Sequence, residues 1–181
     1  LVVDGGSTDG TVEYARERGL RIERQRRPGL ALGVLDAVKA LGTTHVVEFS
    51  PDGNSLADRL PELVARLREG YDIVTVSRYL GSAKSYDDTP VTAFGNYVFT
   101  RLIRLLGDFA VTDALVMFRG YRCDILRLPE FERYLLGPVV EPLVTAFGLL
   151  RGMRMCEIPG DEPERIGGRS KLSIPYNGGC I

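Results

Sequence analysis

Apolar residues along this chain follow two spacings, and the two alternate. Short solid runs read as buried strands: Leu1–Val3, Thr44–Phe49, Tyr71–Val76 and Met153–Ile158. Between them the apolar positions recur every three or four residues. That spacing predicts helices over Thr11–Arg18, Leu30–Leu41, Asp58–Glu69 and Val91–Leu106, with more helix between 129 and 151. Ser7, Thr8 and Asp9 are candidate N-caps for the first helix, and Gly19 its end. Asp58–Glu69 carries its stripe on Leu60, Leu63, Val64 and Leu67. Val91–Leu106 places Phe94, Val98, Leu102, Ile103 and Leu106 on one face, with Arg101 and Arg104 opposite. That face is expected to pack on a core; lying against lipid or a partner is the second reading. Arg21–Arg24 reads as a polar strand, and Leu115–Phe118 as a short one. Strands alternating with helices predict an α/β domain, a mostly parallel central sheet flanked by helices.

The chain has 181 residues, enough for one domain with a core, and 44% of them are hydrophobic. The reading is a single domain over 1–181, closing in a polar basic tail over 159–181. The first residue already lies in a strand, so a preceding strand and helix are expected to be missing. A net charge of −1 excludes bulk attraction to nucleic acid. Cys123, Cys156 and Cys180 have neither disulfide-scaffold nor zinc spacing and fit a reduced compartment. No apolar run reaches the roughly 18 residues of a membrane-crossing helix.

In an open sheet, ligands sit at the carboxyl ends of strands. Three strands end in polar residues: at Asp4 before Gly5-Gly6-Ser7, at Ser50-Pro51-Asp52-Gly53-Asn54, and at Ser77-Arg78. An Asp-Gly turn alone is ordinary punctuation. Three such ends together bring acids, an amide, a cation and glycine turns to one sheet edge, which suits a diphosphate with a bridging divalent metal. "RIGGRSK", Arg165–Lys171, adds cations around flexible backbone, able to wrap an anion or to be a solvated tail. His45, the single histidine, sits at a strand start and receives no role, and no serine or cysteine hydrolase arrangement is visible.

"VVDGGSTDGTVE" resembles the opening signature of family 2 glycosyltransferases, which have the GT-A nucleotide-sugar fold. "FSPDGN" falls at that family's acidic metal motif, and "DIVTVSRY" at the segment before the acceptor loop. "FGNYVFTRLIRLLG", "TDALVMFRGYR" and "EIPGDEPERIGGRSKL" are similar to the polyprenyl- and dolichyl-phosphate sugar synthase branch. The resemblance implies transfer of a sugar from a nucleoside-diphosphate sugar to a polyprenyl-phosphate or glycan acceptor, with inversion and with Mg²⁺ or Mn²⁺. It implies donor contacts at Asp4, Gly6, Ser7 and Asp52, and Arg169, Ser170 and Lys171 closing over the diphosphate. Asp52 and Asn54 would hold the metal, Asp52 and Arg78 would be catalytic, and Ser77 and Arg78 would meet the acceptor. It also implies a cytoplasmic protein, with contact at the membrane face. Three places depart from the family: Gly5 stands where a second Asp is common, Ser50 where the metal motif begins with Asp, and the loop after Ser77-Arg78 reads "DDTPVT" where the lipid-phosphate branch has a second Arg, two acids that would repel a phosphate acceptor.

A lipid-phosphate acceptor arrives ionised and needs no general base; a hydroxyl acceptor needs one, for which Asp87, Asp88 and Asp113 are candidates. A sugar-nucleotide nucleotidyltransferase and a non-catalytic nucleotide-sugar-binding module are the alternative readings.

Overall fold

The computed structural model describes residues 1–27, 29–50, 52–134 and 140–166. They divide into two compact units. The first takes Leu1–Thr44 and Cys123–Val140; the second takes His45–Arg122 and the described residues from Glu141 onward.

In the first unit, β1 (Val2–Asp4) pairs in parallel with β2 (Ile22–Arg24), Asp4 opposite Arg24. A parallel pair needs a crossover, and helix α1 (Thr11–Glu17) supplies it. None of the three candidate caps occupies the N-cap of α1. Gly10 does, at φ 88°, a left-handed backbone that the expected residues adopt at a cost. Asp9 acts one step outside, its Oδ1 accepting from Thr11 N at 3.1 Å and Thr11 Oγ1 at 2.6 Å. Helix α2 (Leu30–Ala40) buries Ala31, Leu35 and Val38, and the short helix α5 (Cys123–Leu126) packs on it. Helix α6 (Pro129–Tyr134) follows.

The second unit is built on a four-stranded sheet of β3 (His45–Glu48), β4 (Ile73–Ser77), β5 (Arg119–Arg122) and β6 (Met155–Pro159), in the order β3-β5-β4-β6. β4 and β6 run parallel, while β5 lies between β3 and β4 and runs against both. The expected α/β class and flanking helices are present, and the direction of β5 makes this sheet mixed. All five residues of β4 are buried, as its uninterrupted apolar run requires. Helix α3 (Leu60–Arg68), with a proline in its first turn, sets Leu63 and Leu67 against Val74, Val76, Phe118 and Ile158. It approaches so closely that a Cβ on Gly120 would lie 2.7 Å from both leucines.

The strand expected at Leu115–Phe118 forms instead at Arg119–Arg122. Asp113 is the reason. Its Oδ1 accepts from Leu115 N and Val116 N at 3.3 and 3.2 Å, turning the chain where the strand was expected. Arg119 then enters the interior with no exposed surface. Its guanidinium donates to the carbonyls of Val116 and Glu141 at 2.8 and 2.9 Å and to Thr145 Oγ1 at 3.0 Å. The last strand begins at Met155 rather than Met153.

Helix α4 (Pro90–Ile103) starts in a capping box between Thr89 and Thr92. It is turned over relative to its expected orientation. Phe94, Val98, Leu102 and Leu106 are exposed; Ile103, expected among them, is buried with Asn96 and Thr100, and Arg101, expected opposite them, is exposed beside Tyr97. Helix α7 (Glu141–Leu150) packs beside it. Among the described residues no helix is long and apolar enough to cross a membrane.

The buried end of β3 has a consequence for stability. Tyr121 OH donates to Glu48 Oε1 at 2.5 Å, and Glu48 Oε2 has no hydrogen-bond partner. Burial first, then Glu141 nearby, pushes the Glu48 carboxyl up to about 8 from an ordinary 4.5, against the pull of Tyr121 and Arg119. The folded state therefore keeps a proton that the unfolded chain releases. The associated stability is complete below pH 4.5 and is lost as pH rises to about 8. Glu48→Gln removes this slope: unfolding in urea at pH 5 and pH 8 should differ less in the variant, by on the order of 2 kcal/mol.

Candidate active site

Asp4, Gly6 and Ser7 come together in the first unit. Asp4 ends β1 and is buried, its carboxylate folded back on its own turn: Oδ2 accepts from Gly6 N at 3.1 Å and Oδ1 from Ser7 N at 3.0 Å. Ser7 first, with Gly6 and Arg24 assisting, holds the Asp4 carboxyl below the usual carboxylate range. An open pocket lies against Asp4, Gly6, Ser7, Arg16 and Arg24.

Asp52, Asn54, Ser77 and Arg78 come together in the second unit. After β3 the chain turns through Gly53, whose φ of 85° is strained for any other residue. The turn leaves the Asp52 side chain 29% exposed. Asp52 Oδ1 accepts from Asn54 N at 3.3 Å, its carbonyl accepts from Ile166 N at 2.9 Å, and its Oδ2 lies 3.9 Å from Arg165 Nη1. Arg165 is held mainly by Asp87, with Nη2 to Oδ2 at 2.6 Å. That bond, more than any other influence, lowers the Asp87 pKa.

Arg78 follows β4 and is surrounded by acids. Asp113 takes it in a fork, Nε to Oδ2 at 2.6 Å and Nη2 to Oδ1 at 3.0 Å. Nη1 meets Glu162 Oε2 at 3.0 Å and lies 3.5 Å from Asp88 Oδ2. Burial works against the Arg78 charge, but Asp113 and Glu162 outweigh it and hold the guanidinium protonated. Ser77 has no exposed surface, and its hydroxyl meets Thr112 Oγ1 at 2.6 Å. Tyr79 OH donates to Asp88, and burial together with that bond raises its pKa.

Three residues of this cluster carry no signal in a strand-end reading. Asn96, on α4, donates to Asp113 Oδ1 at 3.1 Å. Glu157, on β6, accepts from Thr112 N at 2.9 Å and Asp113 N at 3.2 Å and so fixes the turn that presents Asp113. Burial raises the Glu157 pKa even against these bonds. Glu162 joins three segments at once: it accepts from Arg78, from Ser85 Oγ at 2.5 Å and from Asn54 Nδ2 at 3.4 Å. A bridge from Ser85 to Glu162 ties the same loop at its backbone. The acidic motif "GDEPER" was the available signal, and it reads as a solvated tail. A small pocket is walled by Asn54, Arg78, Asp161 and Glu162 over Val76 and Phe118. Arg169, Ser170 and Lys171 lie outside the described residues.

Residues 1–128 match the family model described as glycosyl transferase family 2. The chain belongs to that family. It is a glycosyltransferase, which displaces the nucleotidyltransferase alternative. It is 31% identical over 180 residues to a dolichyl-phosphate hexose transferase of Haloferax volcanii, covering 99% of this chain and 76% of that one. It is 33% identical over 181 residues to an uncharacterized glycosyltransferase of Mycobacterium tuberculosis, covering 100% and 81%. Among solved structures, glucosyl-3-phosphoglycerate synthase of M. tuberculosis, in complex with Mn²⁺, UDP-glucose and phosphoglyceric acid, superposes with a TM-score of 0.64. Identity there is 18%, over 93% of this chain and 60% of that one. A mycobacterial protein superposes at 0.68 with 20% identity, over 93% and 57%. These likenesses show the GT-A fold, and the chain spans about three fifths of the solved structures it matches.

Asp113 and Glu162 should differ in weight on Arg78. Asp113→Ala leaves a buried guanidinium without its fork and should lower stability by about 3 kcal/mol. Glu162→Gln keeps an acceptor facing Ser85 and Arg78 and should cost about 1 kcal/mol or less. Urea unfolding of the two variants at one pH measures the difference.

Proposed function

We propose that this glycosyltransferase moves a hexosyl group from a nucleoside-diphosphate sugar to a polyprenyl phosphate, with inversion at the anomeric carbon. The observation that carries the reading is the cluster in the second unit, where Glu162 bridges Asn54 beside Asp52 to Arg78. One side offers oxygen donors for a metal-bound diphosphate, the other a cation for an anionic acceptor.

The donor set fits Mg²⁺ or Mn²⁺. Asp52 and Asn54 present oxygens, the ligands such hard cations take. Among the described residues no group of three His, Cys, Asp or Glu could hold a metal ion. The residues therefore fit a cation that keeps few protein ligands and completes its shell with diphosphate oxygens and water. Bound there, it would neutralise charge on the diphosphate leaving group. Asp4, Gly6 and Ser7 are the proposed nucleoside-side contacts, and Arg169, Ser170 and Lys171 the proposed diphosphate contacts.

In the transfer, an acceptor oxygen forms a bond to the anomeric carbon as the bond to the β-phosphate oxygen breaks, and the nucleoside diphosphate leaves. All three candidate bases are engaged by cations or donors: Asp87 by Arg165, Asp88 by Tyr79 and Arg78, and Asp113 by Arg78. That favours an acceptor that needs no base. A phosphate oxygen is ionised on arrival and would take the Arg78 edge now held by Glu162, leaving the Asp113 fork in place. The dolichyl-phosphate hexose transferase of H. volcanii supports this acceptor class.

Calorimetry with UDP in the presence and absence of Mn²⁺ tests the metal side. Binding should depend on the metal, and Asp52→Ala should weaken it by at least about tenfold, the loss that even outer-shell changes bring. Metal-dependent binding left intact in that variant would remove Asp52 from the assignment. Sugar transfer to a polyprenyl phosphate, with release of the nucleoside diphosphate, tests the acceptor.

A further inference from the structure

The turn that carries Asp52 offers a cation one carboxylate. Residues 50 to 54 read Ser-Pro-Asp-Gly-Asn, with Asp52 their single acid and Asn54 their single amide. Small hard cations at phosphate sites take one or two carboxylates, and phosphate and water oxygens complete the shell. A second carboxylate stands beside this turn, on the loop between β4 and α4.

That carboxylate is Asp87, and it shares a guanidinium with Asp52. Arg165 donates from Nε to Asp87 Oδ1 and Oδ2 at 3.3 and 3.2 Å, and from Nη2 to Oδ2 at 2.6 Å. Nη1 of the same group faces Asp52 Oδ2 at 3.9 Å, too far for a hydrogen bond. Asn54 adjoins both acids. Its N–H donates to Asp52, and its side chain assists Arg165, the larger influence, in lowering the Asp87 pKa against burial. Asp88, the next residue, turns instead to Tyr79 and Arg78.

Backbone bonds fix Asp87 in this place. Glu162 N donates to the Lys84 carbonyl at 2.9 Å, and Tyr86 N donates to the Glu162 carbonyl at 2.8 Å. Ile166 N reaches the Asp52 carbonyl, so the segment that carries Arg165 is tied to both acid-bearing turns.

The charge at this edge does not balance. Among the described residues, ion pairs here join five carboxylates, of Asp52, Asp87, Asp88, Asp113 and Glu162, to two guanidiniums, of Arg78 and Arg165. Asp113 takes Arg78 in a fork, whereas Arg165 meets Asp52 only at long range. Arg165 brings one positive charge to two acids, and a divalent ion brings two. The Arg165 and Asp87 side chains are 25% and 22% exposed, so their pair is screened and open to exchange.

We propose that Asp87 is the second carboxylate of the divalent-cation site, beside Asp52 and Asn54, and that Arg165 bridges the two acids until a cation replaces it. The inference rests on the metal assignment of Asp52 made above and adds a residue to it.

Titration with Mn²⁺ alone, read by the electron paramagnetic resonance of the free ion, tests it without donor or turnover. Asp87→Asn should weaken Mn²⁺ binding by at least about tenfold. Arg165→Gln should tighten it by about two- to fivefold, the worth of a part-exposed ion pair. The opposite signs separate ligation from a structural ion pair, which both substitutions would break alike. Asp88→Asn makes the same charge change one residue on and should alter binding by less than about twofold, since it shifts only a screened field. Ser50→Asp added to Asp87→Asn should return the affinity toward wild type. If Asp87→Asn melts early, the Arg165→Gln titration still reads the exchange. Mn²⁺ binding unchanged in Asp87→Asn, an equal loss in Asp88→Asn, or binding no tighter in Arg165→Gln would overturn the inference. Asp52→Ala losing metal binding while Asp87→Asn keeps it removes Asp87 alone and leaves the transferase reading standing. Wild-type protein that binds no Mn²⁺, alone or with UDP, removes both.

Discussion

The second unit is organised around the charge of one buried arginine. A guanidinium with an 11% exposed side chain is stable only where carboxylates meet it in good geometry, and Asp113 does so through two bonds. Meeting that condition fixes much else. Asp113 must sit on a rigid turn, so Glu157 from β6 takes the backbone N–H groups of Thr112 and Asp113. Its remaining oxygen capacity orients Asn96, which sets the face that α4 turns inward. The same carboxylate caps Leu115 and Val116 and so delays β5 to Arg119.

Glu162 carries this order outward. The segment after β6 would otherwise be a polar tail, but its carboxylate and backbone tie the loop at Ser85 to the end of β4 and to Asn54. Arg165 adds a second tie, to Asp87 and toward Asp52. Acid and base alternate across this edge, so Arg78, Asp87 and Asp113 are each held by a partner of opposite charge. Such an edge is preorganised. Within it Glu162 holds Arg78 by one bond where Asp113 holds it by two.

Much of this was legible in the amino-acid order. The buried strand Ile73–Ser77, the stripe of α3 and the strand-end positions of Asp4, Asp52 and Arg78 all follow from local spacing and turn chemistry. The site's outer partners were not legible. Asn54 and Glu162 are 108 positions apart, and Arg78 and Asp113 are 35 apart. No periodicity links such pairs, and Glu162 alone reads as a solvated polar group. Arg119 was hidden for a related reason: a charged side chain in a strand predicts exposure, and only the inward-facing carbonyls of Val116 and Glu141 make its burial tolerable.

Helix α4 shows where the two sources of information divide. The sequence by itself determined that Val91–Leu106 is amphipathic, because helical spacing puts Phe94, Val98 and Leu102 on one face whatever surrounds them. It also determined the alternation of strand and helix and the residues available at the strand ends. Which face of α4 turns inward was decided by tertiary structure, since Asn96 and Thr100 find buried partners in Asp113 and Ala114 that no local pattern records. Side-chain spacing fixes what a helix can offer; the polar groups packed against it select which side it uses.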